Sequence, residues 1–121
     1  MEAIPSEHEE QVTLIRWWYE WATDHKLPIK ALFAIPNAAN RTWKTVHHFL
    51  DEGMIAGVAD LFLCIASKGQ HGLWIEMKRK KGSKWSPEQQ DFAGMVEAQG
   101  YKYVLAKGAA DAIEAVTEYL A

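Results

Sequence analysis

Two apolar segments separated by a turn-forming segment constrain the fold of this chain more than any other feature. Residues 58–65 are apolar apart from Asp60, and residues 73–78 form a second strand-like segment. Residues 67–72, which lie between them, are rich in residue types that favour turns. This arrangement predicts two neighbouring strands joined as a β-hairpin.

Helices and further strands are predicted on both sides of the hairpin. Ser6 and Glu9 match a capping box, which predicts a helix over residues 7–25. Ser86 followed by Pro87 is typical of a helix start, and that helix stops at Gly100. The remaining patterns predict strands over residues 31–35 and 101–106 and helices over residues 43–52 and 109–120. The order α-β-α-β-β-α-β-α predicts an α/β fold with a mixed central β-sheet flanked by helices.

Length and composition fit one compact domain. A chain of 121 residues is enough for a single domain, which we expect to span residues 1–121. Because 49% of the residues are hydrophobic, the chain can bury a core. It has no apolar segment of membrane-spanning length and no signal-peptide pattern, so we expect a cytoplasmic protein. The lone Cys64 lies in the first apolar segment and is predicted to be a buried, inert thiol.

Charge is distributed unevenly along the chain. The formal net charge of −3 is unusual for a general nucleic-acid binder. Acidic residues crowd the N-terminus, whereas one basic cluster follows the second strand of the hairpin. The cluster comprises Lys78, Arg79, Lys80, Lys81 and Lys84. Since local charge sets the field that a phosphate backbone feels, this segment is either a DNA-contacting loop or a solubilising one.

Three residues of the hairpin carry groups suited to phosphodiester chemistry. Alternate side chains of a strand share one face, so Glu76 and Lys78 point the same way, and the hairpin brings Asp60 beside Glu76. Two carboxylates can hold Mg²⁺ or Mn²⁺, which polarise phosphoryl oxygens and acidify water. An amine alongside can orient that water or stabilise charge on the phosphate.

A simpler interpretation of the same residues is a solvated sheet edge, where charged pairs such as Glu76 and Lys78 are common. Asp60 favours the functional interpretation. A carboxylate within an apolar strand is costly unless something binds it.

Three segments of the chain together resemble the VRR-NUC nucleases of the PD-(D/E)XK superfamily, which are often small stand-alone proteins of phages and bacteria. These are residues 57–61 (GVADL), 74–78 (WIEMK) and 86–89 (SPEQ). The resemblance runs from Glu7 to the last helix and implies a restriction-endonuclease-like core. One departure is Ala59, where the family usually has proline. Because proline there shapes the backbone and supplies no ligand, we expect activity to survive the change.

The resemblance also implies roles for individual residues. Asp60 and Glu76 would be metal ligands, Lys78 the catalytic lysine and Gln89 a residue near the active site. An acidic residue of the first helix would support the metal. Glu7 and Glu10 both qualify, because residues three apart share a helix face. The resemblance implies a phosphate-contacting role for Arg41 and Lys44. Next to a nuclease site, we also expect the basic residues Arg79, Lys80, Lys81 and Lys84 to bind DNA.

The implied activity is that of a Mg²⁺- or Mn²⁺-dependent DNA endonuclease, structure-selective on branched DNA such as Holliday (four-way) junctions. A flap or non-specific DNA nuclease and a catalytically idle DNA-binding or interaction module are the alternatives. We also predict a homodimer. Trp17, Trp18 and Trp21 are too closely spaced for all to face one core, and exposed aromatic residues are enriched at interfaces. A two-fold nuclease can cut both strands of a symmetric junction.

Overall fold

A computed structural model describes residues 3–36 and 51–121. Arg41 and Lys44 lie outside these ranges, as does most of the helix predicted over residues 43–52. The described elements are α1 (Glu7–Asp24), a 3₁₀ turn (Ile29–Ala31), β1 (Leu32–Ala34), β2 (Leu61–Leu63), β3 (Leu73–Lys78), α2 (Pro87–Ala98), β4 (Lys102–Lys107) and α3 (Ala109–Leu120). No helix in these ranges has the length and apolar character needed to span a membrane.

The strands form a single sheet in the order β1-β2-β3-β4. The pairs β1–β2 and β2–β3 are antiparallel, and β3–β4 is parallel. Parallel neighbours need a crossover connection, which α2 provides between β3 and β4. The predicted hairpin and the predicted mixed α/β sheet are therefore confirmed.

The first strand of the hairpin is shorter than predicted. β2 covers only Leu61–Leu63, so Asp60 lies just before the strand instead of within it. One reason is that the Asp60 carboxylate accepts the backbone N–H of Met77 at 2.7 Å, which replaces a strand-to-strand backbone bond. Cys64 follows the end of β2 and is exposed, so the predicted burial of its thiol is wrong.

Helices cover both faces of the sheet. α1 and α3 pack on one face, over the buried side chains of Leu73, Ile75 and Met77. On the other face α2 covers a smaller cluster around Ala93 and Tyr103. Every second residue of β3 faces the α1–α3 layer, so the intervening positions, including Glu76 and Lys78, face the side that carries α2.

All three tryptophans of α1 contact the core, contrary to the prediction. Trp18 is completely buried, and its indole N–H donates to the carbonyl oxygen of Ile29 at 2.8 Å. Trp17 and Trp21 are half-buried and pack against the same core. Their rings stack at a centroid distance of 5.3 Å, so neighbouring indoles cover each other's faces.

Candidate active site

Glu76 and Lys78 lie at the C-terminal end of β3, which is a central strand of the sheet. Only 3% of Glu76 and 8% of Lys78 are exposed to solvent. Burial of two ionisable side chains is unusual unless they are paired or bind a ligand. The interpretation of this pair as a solvated sheet edge is therefore wrong.

The hairpin brings Asp60 beside Glu76. Leu61 pairs with Ile75, and one further step of this antiparallel register sets Asp60 opposite Glu76. The pKa of Glu76 is raised to about 9. Burial is the largest cause, followed by the neighbouring carboxyl group of Asp60, while the ammonium of Lys78 acts in the opposite direction.

The two oxygens of Glu76 have different surroundings. Oε2 accepts a hydrogen bond from Gln89 Nε2 at 3.3 Å and lies 3.8 Å from Nζ of Lys78. Oε1 is buried and has no hydrogen-bond partner in the described part of the chain. Since an unpaired buried acceptor costs on the order of 1–3 kcal/mol, this oxygen is suited to a ligand from outside the protein.

The start of α2 fixes the orientation of Gln89. Its Oε1 accepts the backbone N–H of Ser86 at 3.0 Å, while its own N–H donates to Oγ of Ser86 at 3.1 Å. This capping box uses the amide oxygen of Gln89, so the amide nitrogen is left to face Glu76. One side chain therefore both caps α2 and positions a carboxylate.

Asp60, Glu76, Lys78 and Gln89 thus meet at one end of the hairpin. A solved structure of a VRR_NUC domain protein superimposes on this chain with a TM-score of 0.82, and the two sequences are 27% identical. The alignment covers 97% of this chain and 89% of that chain. The chain therefore has the fold of a VRR-NUC domain and resembles one in sequence. No protein-family model and no curated protein matches it.

The match confirms the resemblance predicted from the sequence, and it indicates a nuclease-type domain. Within residues 3–36 and 51–121 no group of three or more His, Cys, Asp or Glu side chains is arranged to hold a metal ion. The Asp60–Glu76 pair nevertheless fits a hard cation that keeps several water ligands, because both groups are oxygen donors and Glu76 Oε1 lacks a partner. A closed cage of the structural-zinc type does not fit these residues.

The two acidic candidates of α1, Glu7 and Glu10, have different surroundings. Glu10 is buried, and its Oε1 accepts the backbone N–H of Ala109 at 3.1 Å, which caps α3. Its other oxygen, Oε2, is buried without a partner in the described chain. Glu7 is exposed, accepts a hydrogen bond from Ser83 Oγ at 3.3 Å, and its charge helps to raise the pKa of Glu76. Glu7 thus acts electrostatically on the Asp60–Glu76 pair.

Sequence reasoning missed the contact between Glu10 and α3. One signal was available, because α3 begins after Gly108, which has no side chain to cap the helix. A helix that lacks its own capping residue needs another acceptor for its first N–H groups. Glu10 supplies that acceptor from 99 residues away in sequence.

The basic residues beside the site line one cavity. It measures about 220 Å³, and its cationic side chains are Lys78, Arg79, Lys80, Lys81, Lys84 and Lys107. The cavity therefore brings together the four cations of residues 79–84 that were predicted to bind DNA. Lys107 was not predicted, because its place depends on the parallel pairing of β3 with β4, in which Lys107 lies beside Lys78.

Gly57 keeps Asp60 close to Gln89. Its φ of +88° is a conformation that side-chain-bearing residues rarely adopt, and an added Cβ would lie 2.3 Å from the carbonyl oxygen of Glu88. The segment before Asp60 therefore passes directly against the first turn of α2. Only glycine permits this approach.

We expect Gly57→Ala to lower the free energy of unfolding by roughly 2–4 kcal/mol, from the sum of backbone strain and steric overlap. Gly69→Ala is the matched control, since Gly69 has a φ of +83° and an added Cβ would meet nothing within 4 Å. Gly69→Ala should lower the free energy of unfolding by about 1 kcal/mol. Urea denaturation of both variants measures the difference, and equal losses would contradict a tight contact at Gly57.

Proposed function

We propose that this VRR-NUC domain is a Mg²⁺- or Mn²⁺-dependent DNA endonuclease that hydrolyses phosphodiester bonds in branched DNA, such as four-way junctions. The nuclease activity is supported by the match to a VRR_NUC domain protein. Metal dependence is supported by one observation above all. Two carboxylates, Asp60 and Glu76, lie opposite each other in the hairpin register, and burial together with Asp60 raises the pKa of Glu76 to about 9. The preference for branched DNA follows from the family resemblance.

Asp60 and Glu76 would hold the cation between them. A divalent ion there would relieve their mutual repulsion and give Glu76 Oε1 the partner that it lacks. When bound, the ion supplies positive charge to the phosphate oxygens and lowers the pKa of a water molecule. Glu7 and Glu10 are both candidates for the acidic residue of α1 that supports this centre, because the charge of Glu7 acts on Glu76 and Glu10 Oε2 is buried without a partner in the described chain.

The protein's own side chains complete the chemistry. Lys78 points from the same strand face as Glu76, so its ammonium can donate to the attacking water or to a non-bridging phosphate oxygen. Gln89 holds Glu76 in one orientation through its amide nitrogen. The cations of residues 79–84 attract the DNA backbone to this edge of the sheet.

A cleavage assay tests the proposal. Linear duplex, flap and four-way-junction DNA are incubated with the protein in Mn²⁺ or in EDTA, and products are resolved by denaturing electrophoresis. We expect cleavage in Mn²⁺ only, with the four-way junction cut fastest. Equal rates on all three substrates would indicate a non-specific nuclease. Fastest cleavage of the flap would indicate a flap nuclease. Binding without cleavage would indicate an idle DNA-binding module.

Homodimerisation is part of the proposal, because a four-way junction needs two cuts related by symmetry. We expect light scattering to give about twice the 13.7 kDa chain mass. A monomer at the protein concentration of the cleavage assay would contradict the dimer.

A further inference from the structure

The cavity beside Lys78 has the size of a small ligand fragment. Its volume of about 220 Å³ equals roughly seven water molecules at ~30 Å³ each. Pockets for drug-sized molecules begin at about 300 Å³, so this cavity suits one unit of a larger ligand. Because Lys78 forms part of its wall, the cavity adjoins the proposed catalytic centre.

Most of the cations that line this cavity have no ion-pair partner within the described residues. Lys78 is ion-paired with Glu76 at 3.8 Å. Within residues 3–36 and 51–121, none of the other five cations that line the cavity forms an ion pair with a carboxylate. Arg79 donates instead to the carbonyl oxygen of Ile4 at 3.4 Å. A concave surface with this charge attracts an anion.

The same cavity has an aromatic wall. Trp85 is 40% exposed, yet its indole N–H donates to the hydroxyl of Tyr103 at 3.3 Å, and the two rings stack at 6.3 Å. Burial raises the pKa of Tyr103 to about 12, so the hydroxyl stays protonated at neutral pH. Gln90 further donates to the carbonyl oxygen of Trp85 at 3.0 Å. The indole is therefore held in place while part of its surface faces solvent.

Leu105 and Lys107 complete the wall contributed by β4. Alternate residues of a strand share a face, so both lie on the side of the sheet that carries Lys78. The cavity thus combines an aromatic ring from the segment before α2 with an aliphatic side chain and a lysine from β4. A base and its phosphate are complementary to these apolar and cationic groups.

We propose that this cavity is a nucleotide subsite, in which a base stacks on Trp85 and the adjoining phosphate binds Lys107 and the basic residues 79–84. The occupant is one nucleotide of the DNA strand being cut, next to the scissile bond, and in this respect the inference rests on the proposed function. A base can stack on an indole only if it leaves its own duplex stack. The subsite therefore selects strands that are unpaired beside the cut, as they are at branch points.

Binding without cleavage tests the subsite separately from the enzyme reaction. The full chain, labelled with ¹⁵N and kept in EDTA, is titrated with thymidine 5′-monophosphate, thymidine or inorganic phosphate. The NMR signal of the Trp85 indole N–H, assigned by its loss in Trp85→Phe, is followed. We expect thymidine 5′-monophosphate to shift this signal saturably, at lower concentration than either fragment.

Two variants divide the subsite into its parts. Trp85→Leu should weaken binding of thymidine 5′-monophosphate about tenfold, because it removes the ring on which the base stacks, and should leave binding of inorganic phosphate unchanged. Lys107→Gln should weaken both about fivefold. Lys102→Gln is the matched control, since Lys102 is exposed at the opposite end of β4. Binding to these variants is measured by isothermal titration calorimetry.

Equal affinity for inorganic phosphate and thymidine 5′-monophosphate, or equal effects of Lys107→Gln and Lys102→Gln, would overturn the subsite. The two proposals can fail independently. If the protein binds the nucleotide but never cuts DNA, only the proposed nuclease function is refuted. If it cuts DNA in Mn²⁺ but the Trp85 indole signal does not shift, only the proposed subsite is refuted.

Discussion

Replacing Glu76 with glutamine is expected to lower the rate of Mn²⁺-dependent DNA cleavage by about a thousandfold or more. Glutamine keeps the size of the side chain but removes the charge that would hold the cation opposite Asp60. Folding should not suffer, because the substitution removes a buried carboxylate whose ionisation is opposed by its surroundings. Single-turnover cleavage rates, with circular dichroism as a check on folding, measure the effect.

Companion variants assign the remaining roles. Asp60→Asn should reduce the rate to a similar extent, while its amide oxygen can still accept the backbone N–H of Met77. Lys78→Met should lower the cleavage rate about 10²–10³-fold, which is the effect expected for removing one donor that stabilises transition-state charge. Glu114→Gln is the control, since Glu114 is exposed on α3 and away from the site. Parent-like cleavage by purified Glu76→Gln would contradict the assignment and indicate a site elsewhere or a contaminating nuclease.

Adding Mn²⁺ is expected to raise the melting temperature of the protein, and by more at pH 8.5 than at pH 6.5. At a hundred times the dissociation constant, a bound ion stabilises the folded state by about 2.7 kcal/mol, which is roughly 10 °C for a domain of this size. The pH dependence arises because Glu76, with a pKa raised to about 9, must release its proton to bind the ion. Below pH 9, each further decrease of one pH unit should raise the apparent dissociation constant for Mn²⁺ up to tenfold.

Without metal, the stability of the folded protein should instead fall as the pH rises. Because the pKa of Glu76 in the folded state lies above its ordinary value of 4.5, folding favours the protonated form. That contribution to stability is fully present below pH 4.5 and is lost as the pH rises towards about 9. Glu76→Gln, compared with the parent by differential scanning fluorimetry in EDTA and in Mn²⁺, should remove both trends. An unchanged Mn²⁺ response in this variant would show that the ion binds elsewhere.

The hairpin could be predicted from the sequence because its apolar pattern and its turn agree. Lys68 and Gly69 both adopt positive φ, at 50° and 83°, a backbone geometry that suits tight hairpin turns. The bridge between Ser67 and Gln70, continued along the hairpin, would set Asp60 opposite Met77, whereas the strands pair Leu61 with Ile75 and so set Asp60 opposite Glu76. The hairpin was therefore accessible from local sequence, but its exact register at the site was not.

Features that depend on contacts between distant segments were not accessible. The capping of α3 by Glu10 and the position of Lys107 beside Lys78 each require the tertiary arrangement of helices and strands. The late start of β2, at Leu61, was missed as well. An apolar run does not reveal that the Asp60 side chain takes over a backbone hydrogen bond. The tryptophans of α1 were misjudged because their mutual stacking lets half-buried indoles cover one another.

The position of a bound cation tests the central claim most directly. In crystals of the protein grown with Mn²⁺, an anomalous difference map locates the ion independently of the surrounding density. We predict a peak whose distance to one oxygen of Asp60 and to one oxygen of Glu76 is ~2.1 Å, the range expected for a small hard cation on carboxylates. A peak bound to neither residue, or to one of them while the other keeps its proton and points away, would contradict the proposed site.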